Sequence, residues 1–374
     1  MENESKNEGE ANALAAAAPP EASAVQPAAA PPQASKPIPS DLTAMKLLSV
    51  TKSIVVVRAL VYAAITGVMF VSGLLAGLLA IWAAYKGQAV IAFVLILFLG
   101  SGFWGLLRFA RRYCLYMIKA AHVAAITEYL RTGAVPVTEG GFKGVLAFGT
   151  QKVKNNFVTA NIAFGADLII EKATRQIMRW LNKAQNLLSF IPGSQKAFAV
   201  VNFVLSTALN FIDEAVLSYI FYHTEEKNAF KKACDGLVYY AQAWKEMLMG
   251  ALKVGAFIWG LRIVGYAIFF GIFWGVGAGI AGIFKFGVAG QNFSFLIGLI
   301  MGYVCMYGIQ GMLIEPYATC MMIKDYHKAI AGKPMQVDLH GKLCGVSTKF
   351  KELFDKSKKP MPEPEVVAVP EAVG

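Results

Sequence analysis

The chain has 374 residues, 56% of them hydrophobic and only 16% charged, with a formal net charge of +11. A typical soluble domain is roughly 45–50% apolar and about 25% charged, so the composition sets aside a water-soluble globule and points to a multi-span helical membrane protein. The positive excess is spread along the chain rather than gathered in one soluble domain, which speaks for cytoplasmic loops and anionic lipid and against nucleic acid.

Residues 1–45 open on the acidic stretch MENESKNEGE and continue rich in Ala and Pro. No basic region leads into an apolar one, so no cleaved signal is expected, and the composition predicts a disordered cytoplasmic tail. A first transmembrane hairpin is expected over 46–112. Its first span runs from about Ala59 to Tyr85, after Lys46, Lys52 and Arg58. Its second, Ala89 to Leu107, is followed at once by Arg108, Arg111 and Arg112. Basic residues at both outer ends place both ends in the cytoplasm.

Residues 113–195 read as cytoplasmic helices and a loop. Tyr113–Thr132 continues the second span, and the Gly, Pro and Thr of Gly133–Gly149 predict a loop. Over 150–191, Val153, Phe157, Ala160, Phe164 and Leu168 recur at helical steps, while Lys172, Arg175, Arg179 and Lys183 carry a basic face. One or two amphipathic helices follow, lying in an anionic headgroup layer or packed on another helix of the same chain. Within this region the stretch NIAFGADLIIEKATRQIMRWLNKAQN locally resembles choline-transporter-like proteins. That resemblance covers under a tenth of the chain, and no property is carried over from it.

Residues 196–248 predict a re-entrant or interfacial helical segment. The run VVNFVLSTALNFIDEAVLSYIFYH (200–223) is mostly apolar, yet it holds Asp213 and Glu214 side by side. Lys183 and Lys196 precede it, and Lys227, Lys231 and Lys232 follow. Cations on both flanks favour entry and return on one side over a single crossing. At about 100° per residue, with Asn202 at zero, Ser206 falls near ~40°, Asn210 near ~80° and Asp213 near ~20°. These groups form a polar stripe with Glu214 at its edge. Such a stripe pairs with a cation, lines a pathway or faces the cytosol, but does not face lipid. Tyr239, Tyr240 and Trp244 beside Lys231, Lys232 and Lys245 predict a further interfacial helix over 228–248.

A second transmembrane hairpin is expected over 249–323, from apolar runs Gly250–Phe284 and Phe293–Ile314 around a loop Lys285–Asn292. Gly271, Gly275 and Gly279 form GxxxGxxxG, and Gly298 with Gly302 and Gly73 with Gly77 repeat the spacing. Small residues four apart let helix backbones approach closely in lipid, within one chain or between copies of a homo-oligomer. Arg262 either lies inside its span with a partner or snorkels to the inner headgroups. Glu315 sits near the inner end of the last span, and Pro316 predicts a kink there. A cytoplasmic segment (324–356) and a flexible tail (357–374) complete the chain.

No Walker A, HExxH or GxSxG pattern occurs, and the four histidines and five cysteines lack ligand spacing. No catalytic residue, metal or cofactor is therefore expected. The expectation is an all-α polytopic membrane protein with about four spanning helices in two outward hairpins. A central cytoplasmic and interfacial region lies between them, both termini are cytoplasmic, and the plasma membrane is the expected location. The candidate binding cluster is Asn202, Asn210, Asp213, Glu214, Arg262 and Glu315. The lipid-contacting set is Lys172, Arg175, Arg179, Lys183, Lys231 and Lys232, facing anionic headgroups. Two functions fit: a transporter or channel for a small cationic or proton-coupled solute, or a non-transporting scaffold that organises lipid or recruits partners. A continuous polar route across the bilayer discriminates between them.

Overall fold

The computed structural model describes residues 41–85, 115–134, 141–157, 160–185, 211–283 and 287–359, with Pro39, Val90 and Val94 as isolated positions. The two terminal tails, the second arm of the first hairpin apart from those two valines, and Asn202 and Asn210 lie outside the described residues. Among the described residues all regular structure is helical. The helices are α1 (Ala44–Val50), α2 (Lys52–Tyr85), α3 (Tyr116–Thr132), α4 (Gly141–Phe157), α5 (Ala160–Gln185), α6 (Ile212–Tyr222), α7 (Ala229–Gln242), α8 (Trp244–Ile283), α9 (Gly287–Ile309), α10 (Glu315–Ile330), α11 (Asp338–Val346) and α12 (Thr348–Ser357). A π-helical turn, Gln310–Ile314, joins α9 to α10.

Three stretches are long and apolar enough to cross a membrane: Lys52–Gly73, Trp244–Ile280 and Gly298–Ile330. Each is more buried towards one end than towards the other. In α2, Ile54, Val57, Arg58 and Tyr62 are buried, whereas Val68, Val71 and Leu75 are exposed. In α8, buried Met247, Leu248, Ala251, Val254 and Ile258 on one face give way to exposed Leu261, Val264, Ile268, Ile272 and Val276. In the third stretch Ile300 and Tyr303 are exposed, whereas Thr319, Cys320, Ile323 and Tyr326 are buried. Apolar side chains exposed in this number mark a surface that meets something other than water, and their concentration along three long helices suits acyl chains.

The buried ends converge on a helical body formed by α1, α3–α7 and α10–α12. Its core includes Leu47, Ile126, Phe157, Ile170, Tyr219, Leu237, Tyr239, Tyr326 and Phe350. Helix α7 is capped by the Asn228 side chain, which accepts from the Phe230 and Lys231 amides. Expected flat on a membrane surface, α7 is instead buried at Ala229 and throughout 232–241. Tyr239 and Tyr240, read as interface aromatics, are core residues. Helix α6 is likewise enclosed by protein, with 212–221 all buried, so this part of the predicted re-entrant segment makes no lipid contact of its own.

The loop expected over Gly133–Gly149 is shorter, because α4 begins at Gly141. Its glycine content serves packing as well as turning. A Cβ on Gly149 would come within 2.9 Å of the Ala121 Cβ, so the missing side chain lets α4 lie close on α3. Gly133, at φ 75°, ends α3 in the left-handed conformation that glycine adopts without strain. The predicted loop Lys285–Asn292 is also mostly helix, since α9 starts at Gly287.

Candidate functional site

Asp213 and Glu214 occupy the first turn of α6, where unpaired backbone N–H groups favour negative charge. They are 5% and 4% exposed. Lys119 of α3 reaches both, with Nζ 2.9 Å from Asp213 Oδ2 and 3.3 Å from Glu214 Oε1. The Thr319 hydroxyl of α10 donates to Glu214 Oε2 and lies 3.0 Å from the Glu315 carbonyl oxygen. Asp167 of α5 is 9% exposed, and its Oδ1 has no hydrogen-bond partner among the described residues. Burial works against the Lys119 ammonium, yet Asp213, Glu214 and Asp167 hold its pKa well above the ordinary lysine value. Burial raises the Glu214 pKa, and Lys119 offsets that only in part. Burial, helped by Asp213 and Glu214 and opposed by Lys119, pushes Asp167 up to about 7.

A second network lies where the body gives way to the exposed apolar helices. Arg58 Nη2 is 2.5 Å from Glu315 Oε2, and Arg58 Nε donates to the Gly311 carbonyl at 3.1 Å. The Tyr62 hydroxyl donates to the same Glu315 oxygen at 3.3 Å. On the other side, Gln310 Nε2 donates to Glu315 Oε1 at 3.1 Å, and Gln310 Oε1 accepts from Arg262 Nε at 2.7 Å. Arg262 is thus joined to Glu315 through Gln310 and does not reach the acid pair.

The π turn makes this junction. Proline has no N–H, and its ring needs room at the carbonyl four residues back. Pro316 enters on the widened turn rather than on a simple kink. A Cβ on Gly311 would overlap the Tyr62 ring, so only glycine lets α2 approach here. Glu315→Gln should lower stability by about 2 kcal/mol, the scale of a lost charge-assisted hydrogen bond, because Arg58 is buried and would keep no carboxylate. Thermal unfolding in detergent tests this, and an unchanged Tm would mean that the pair contributes nothing net.

Of the predicted cluster, the structure brings Asp213, Glu214, Glu315 and Arg262 into these linked networks, with Thr319 and Gln310 as connectors. Of the predicted lipid-contacting set, Lys172 and Arg179 are exposed, and Arg175 is exposed and paired with Glu171 at 2.9 Å. Lys183 lies near the end of α5. Lys231 is exposed and paired with Glu226 at 2.6 Å. Lys232 departs from expectation. It is 3% exposed, and its Nζ donates to Asn156 Oδ1 at 2.6 Å and to the His223 carbonyl at 3.1 Å. Helix α7 turns that face into the body, and burial without a salt bridge lowers the amine pKa to about 8, with Glu226 and Glu225 partly restoring it.

Sequence reasoning missed Lys119, Arg58, Asp167 and Thr319. Lys119 carried a signal, since it is an isolated charge in the small apolar run YMIKAAHVAAIT. His122, in the same run, is buried against Thr51 Oγ1 at 3.1 Å; burial, with Arg58 nearby, pushes its pKa down to about 3 and keeps it neutral. Ser218 and His327 meet at 2.9 Å, but both are fully buried and so present no nucleophile to solvent. Among the described residues no group of His, Cys, Asp and Glu is arranged to hold a metal ion. No family model, curated protein or solved structure matches the chain.

Proposed function

We propose that the protein is a membrane-anchored helical body that organises lipid or recruits partners at the cytoplasmic face of the plasma membrane, rather than a conduit. One observation carries this reading. Past Arg58, Arg262 and Gln310, the residues 59–85, 263–283 and 287–309 contain no Asp, Glu, Lys, Arg or His. Among the described residues, Lys119, Asp213 and Glu214 are bound to one another in the body, and Arg58, Arg262 and Glu315 are joined at its rim, directly or through Gln310. The exposed cations Lys172 and Arg179 remain for anionic headgroups, each worth about 1 kcal/mol near the surface and screened by salt.

A cation-flux assay on the purified full chain in liposomes tests the proposal. Proton and potassium flux should match protein-free vesicles. Flux above that background, abolished by Asp213→Asn with Glu214→Gln, would overturn it. Topology is tested in parallel: single cysteines at positions Gly87 and Gly290 should react with an impermeant reagent from outside, and a cysteine at Lys172 only after permeabilisation.

A second reading, a transporter for a small cationic or proton-coupled solute, is favoured by the buried acids Asp167, Asp213 and Glu214 around Lys119. It gains over the first only if the flux experiment is positive.

A further inference from the structure

Asp213 and Glu214 of α6 are paired with Lys119 inside the body, and Asp167, on α5 packed against α6, lies within electrostatic reach of all three. Each described contact of Lys119 goes to Asp213 or Glu214. Asp167 has no ion pair or hydrogen bond among the described residues, and its Oδ1 is cut off from solvent and unsatisfied. The Oδ1 of Asp213 is in the same condition. An ionised carboxylate left unpaired in the interior is costly, and such a group neutralises rather than remaining charged.

Further charges do not correct the imbalance. Arg58 acts on Glu214 but is bound to Glu315. Along α5 itself, Glu171 adds another negative charge one turn on, and Tyr116 of α3 brings a neutral hydroxyl. Helix α12 meets α5 at Gln176, through the Ser347 hydroxyl and the Lys349 amide, away from the acids. Lys232 of α7 is held by Asn156 of α4 and by the His223 carbonyl. Helix α11 meets α7 through His340, which faces Asp235.

We propose that this cluster is a proton-binding site: one exchangeable proton resides on Asp167, in the field of the Lys119–Asp213–Glu214 group, and α5 is held to α6 most firmly when that proton is bound. The site goes beyond the anchoring role and does not depend on whether the protein moves a solute. Its bond balance is simple. The proton comes from water, an O–H bond forms at Asp167, and on release the proton returns to water with the carboxylate left charged.

The folded protein holds a proton on Asp167 that the unfolded chain has already lost. The stability that Asp167 contributes is therefore greatest below the ordinary aspartate value of 3.8, falls as pH rises towards about 7, and levels off above it.

Two measurements on the full chain in detergent test the site. The first is an infrared pH titration, which reads the C=O stretch of a protonated carboxylic acid. The wild type should show this band at about pH 5 and lose it by about pH 9, a window set by the linkage. Asp167→Asn should show a weaker band than the wild type at about pH 5, whereas Asp355→Asn, at an exposed position, should match the wild type. The second is thermal unfolding. The wild-type Tm should drop by about 4 °C or more between those pH values, and the Asp167→Asn Tm should be flatter across the same range and higher at the alkaline end.

A wild type without the band at about pH 5 would overturn the proposal even if Asp167→Asn does not fold. So would a band and slope in Asp167→Asn equal to those of the wild type. A Tm at alkaline pH that sodium or potassium raises in the wild type but not in Asp167→Asn would also overturn it, by making the ligand a metal cation.

Discussion

Lys119→Met should leave the protein close to unfolded. The ammonium bridges Asp213 and Glu214 at 2.9 and 3.3 Å, and both acids are buried. Removing one partner of a buried ion pair typically costs ~3–5 kcal/mol, because the remaining charge is uncompensated. Here two carboxylates would remain, one residue apart, against a total margin of roughly 5–15 kcal/mol for a folded protein. A loss of at least ~4 kcal/mol is expected, read as a large Tm drop or as aggregation on solubilisation. The same reasoning predicts rescue. Adding Asp213→Asn and Glu214→Gln to Lys119→Met removes the whole charged group, and neutral replacement of a buried network is often close to neutral in stability. The triple variant should therefore be more stable than Lys119→Met alone. A Lys119→Met protein that unfolds within ~1 kcal/mol of wild type would show that the ion pair does not hold α3 to α6.

The acid pair also shows what a single sequence makes legible. That Asp213 and Glu214 avoid lipid follows from their cost and from the polar stripe around them. Their partners do not follow, since Lys119 lies 94 residues before Asp213 and Thr319 lies 105 residues after Glu214. Long-range pairing of this kind leaves no local pattern. Apolar spans are the opposite case, because crossing a bilayer is a property of one continuous run.

Helix α7 was misplaced for a physical reason as well. A tyrosine with an apolar ring and a polar tip suits a membrane interface, but it also suits a core that satisfies the tip. In this body Tyr326 donates to the Gly236 carbonyl at 2.8 Å and sits edge-on to Tyr219. Lysine beside tyrosine does not separate the two settings. Gly133–Gly149 poses the same problem, since glycine marks both turns and close helix contacts, and only the partner helix decides which.

Gly302→Val is expected to disrupt the α8–α9 hairpin, whereas Gly275→Val leaves it intact. The GxxxGxxxG of Gly271, Gly275 and Gly279 is the more conspicuous spacing in the sequence, yet a Cβ on any of the three would meet nothing within 4 Å. The plainer pair makes the contact. A Cβ on Gly302 would stand 2.9 Å from the Phe270 amide nitrogen, and one on Gly298 would stand 3.0 Å from the Trp274 Cβ. The obstacle at Gly302 is backbone, which cannot rotate away as a long side chain does. Aromatic contacts depend on the same approach, with Phe270 and Trp274 stacked and Phe295 edge-on to both. Among apolar helices in lipid there is no hydrophobic drive to replace lost packing. Gly302→Val should therefore cost about 3 kcal/mol, the upper part of the range for overfilled packing. Gly275→Val should stay within about 0.5 kcal/mol, as for an open surface site. Unfolding of both variants in mild detergent, with graded addition of a denaturing one, gives the comparison. A cost at Gly275 equal to that at Gly302 would mean that another helix covers the outer glycine face in the working protein, and would return that face to the homo-oligomer contact its spacing first implied.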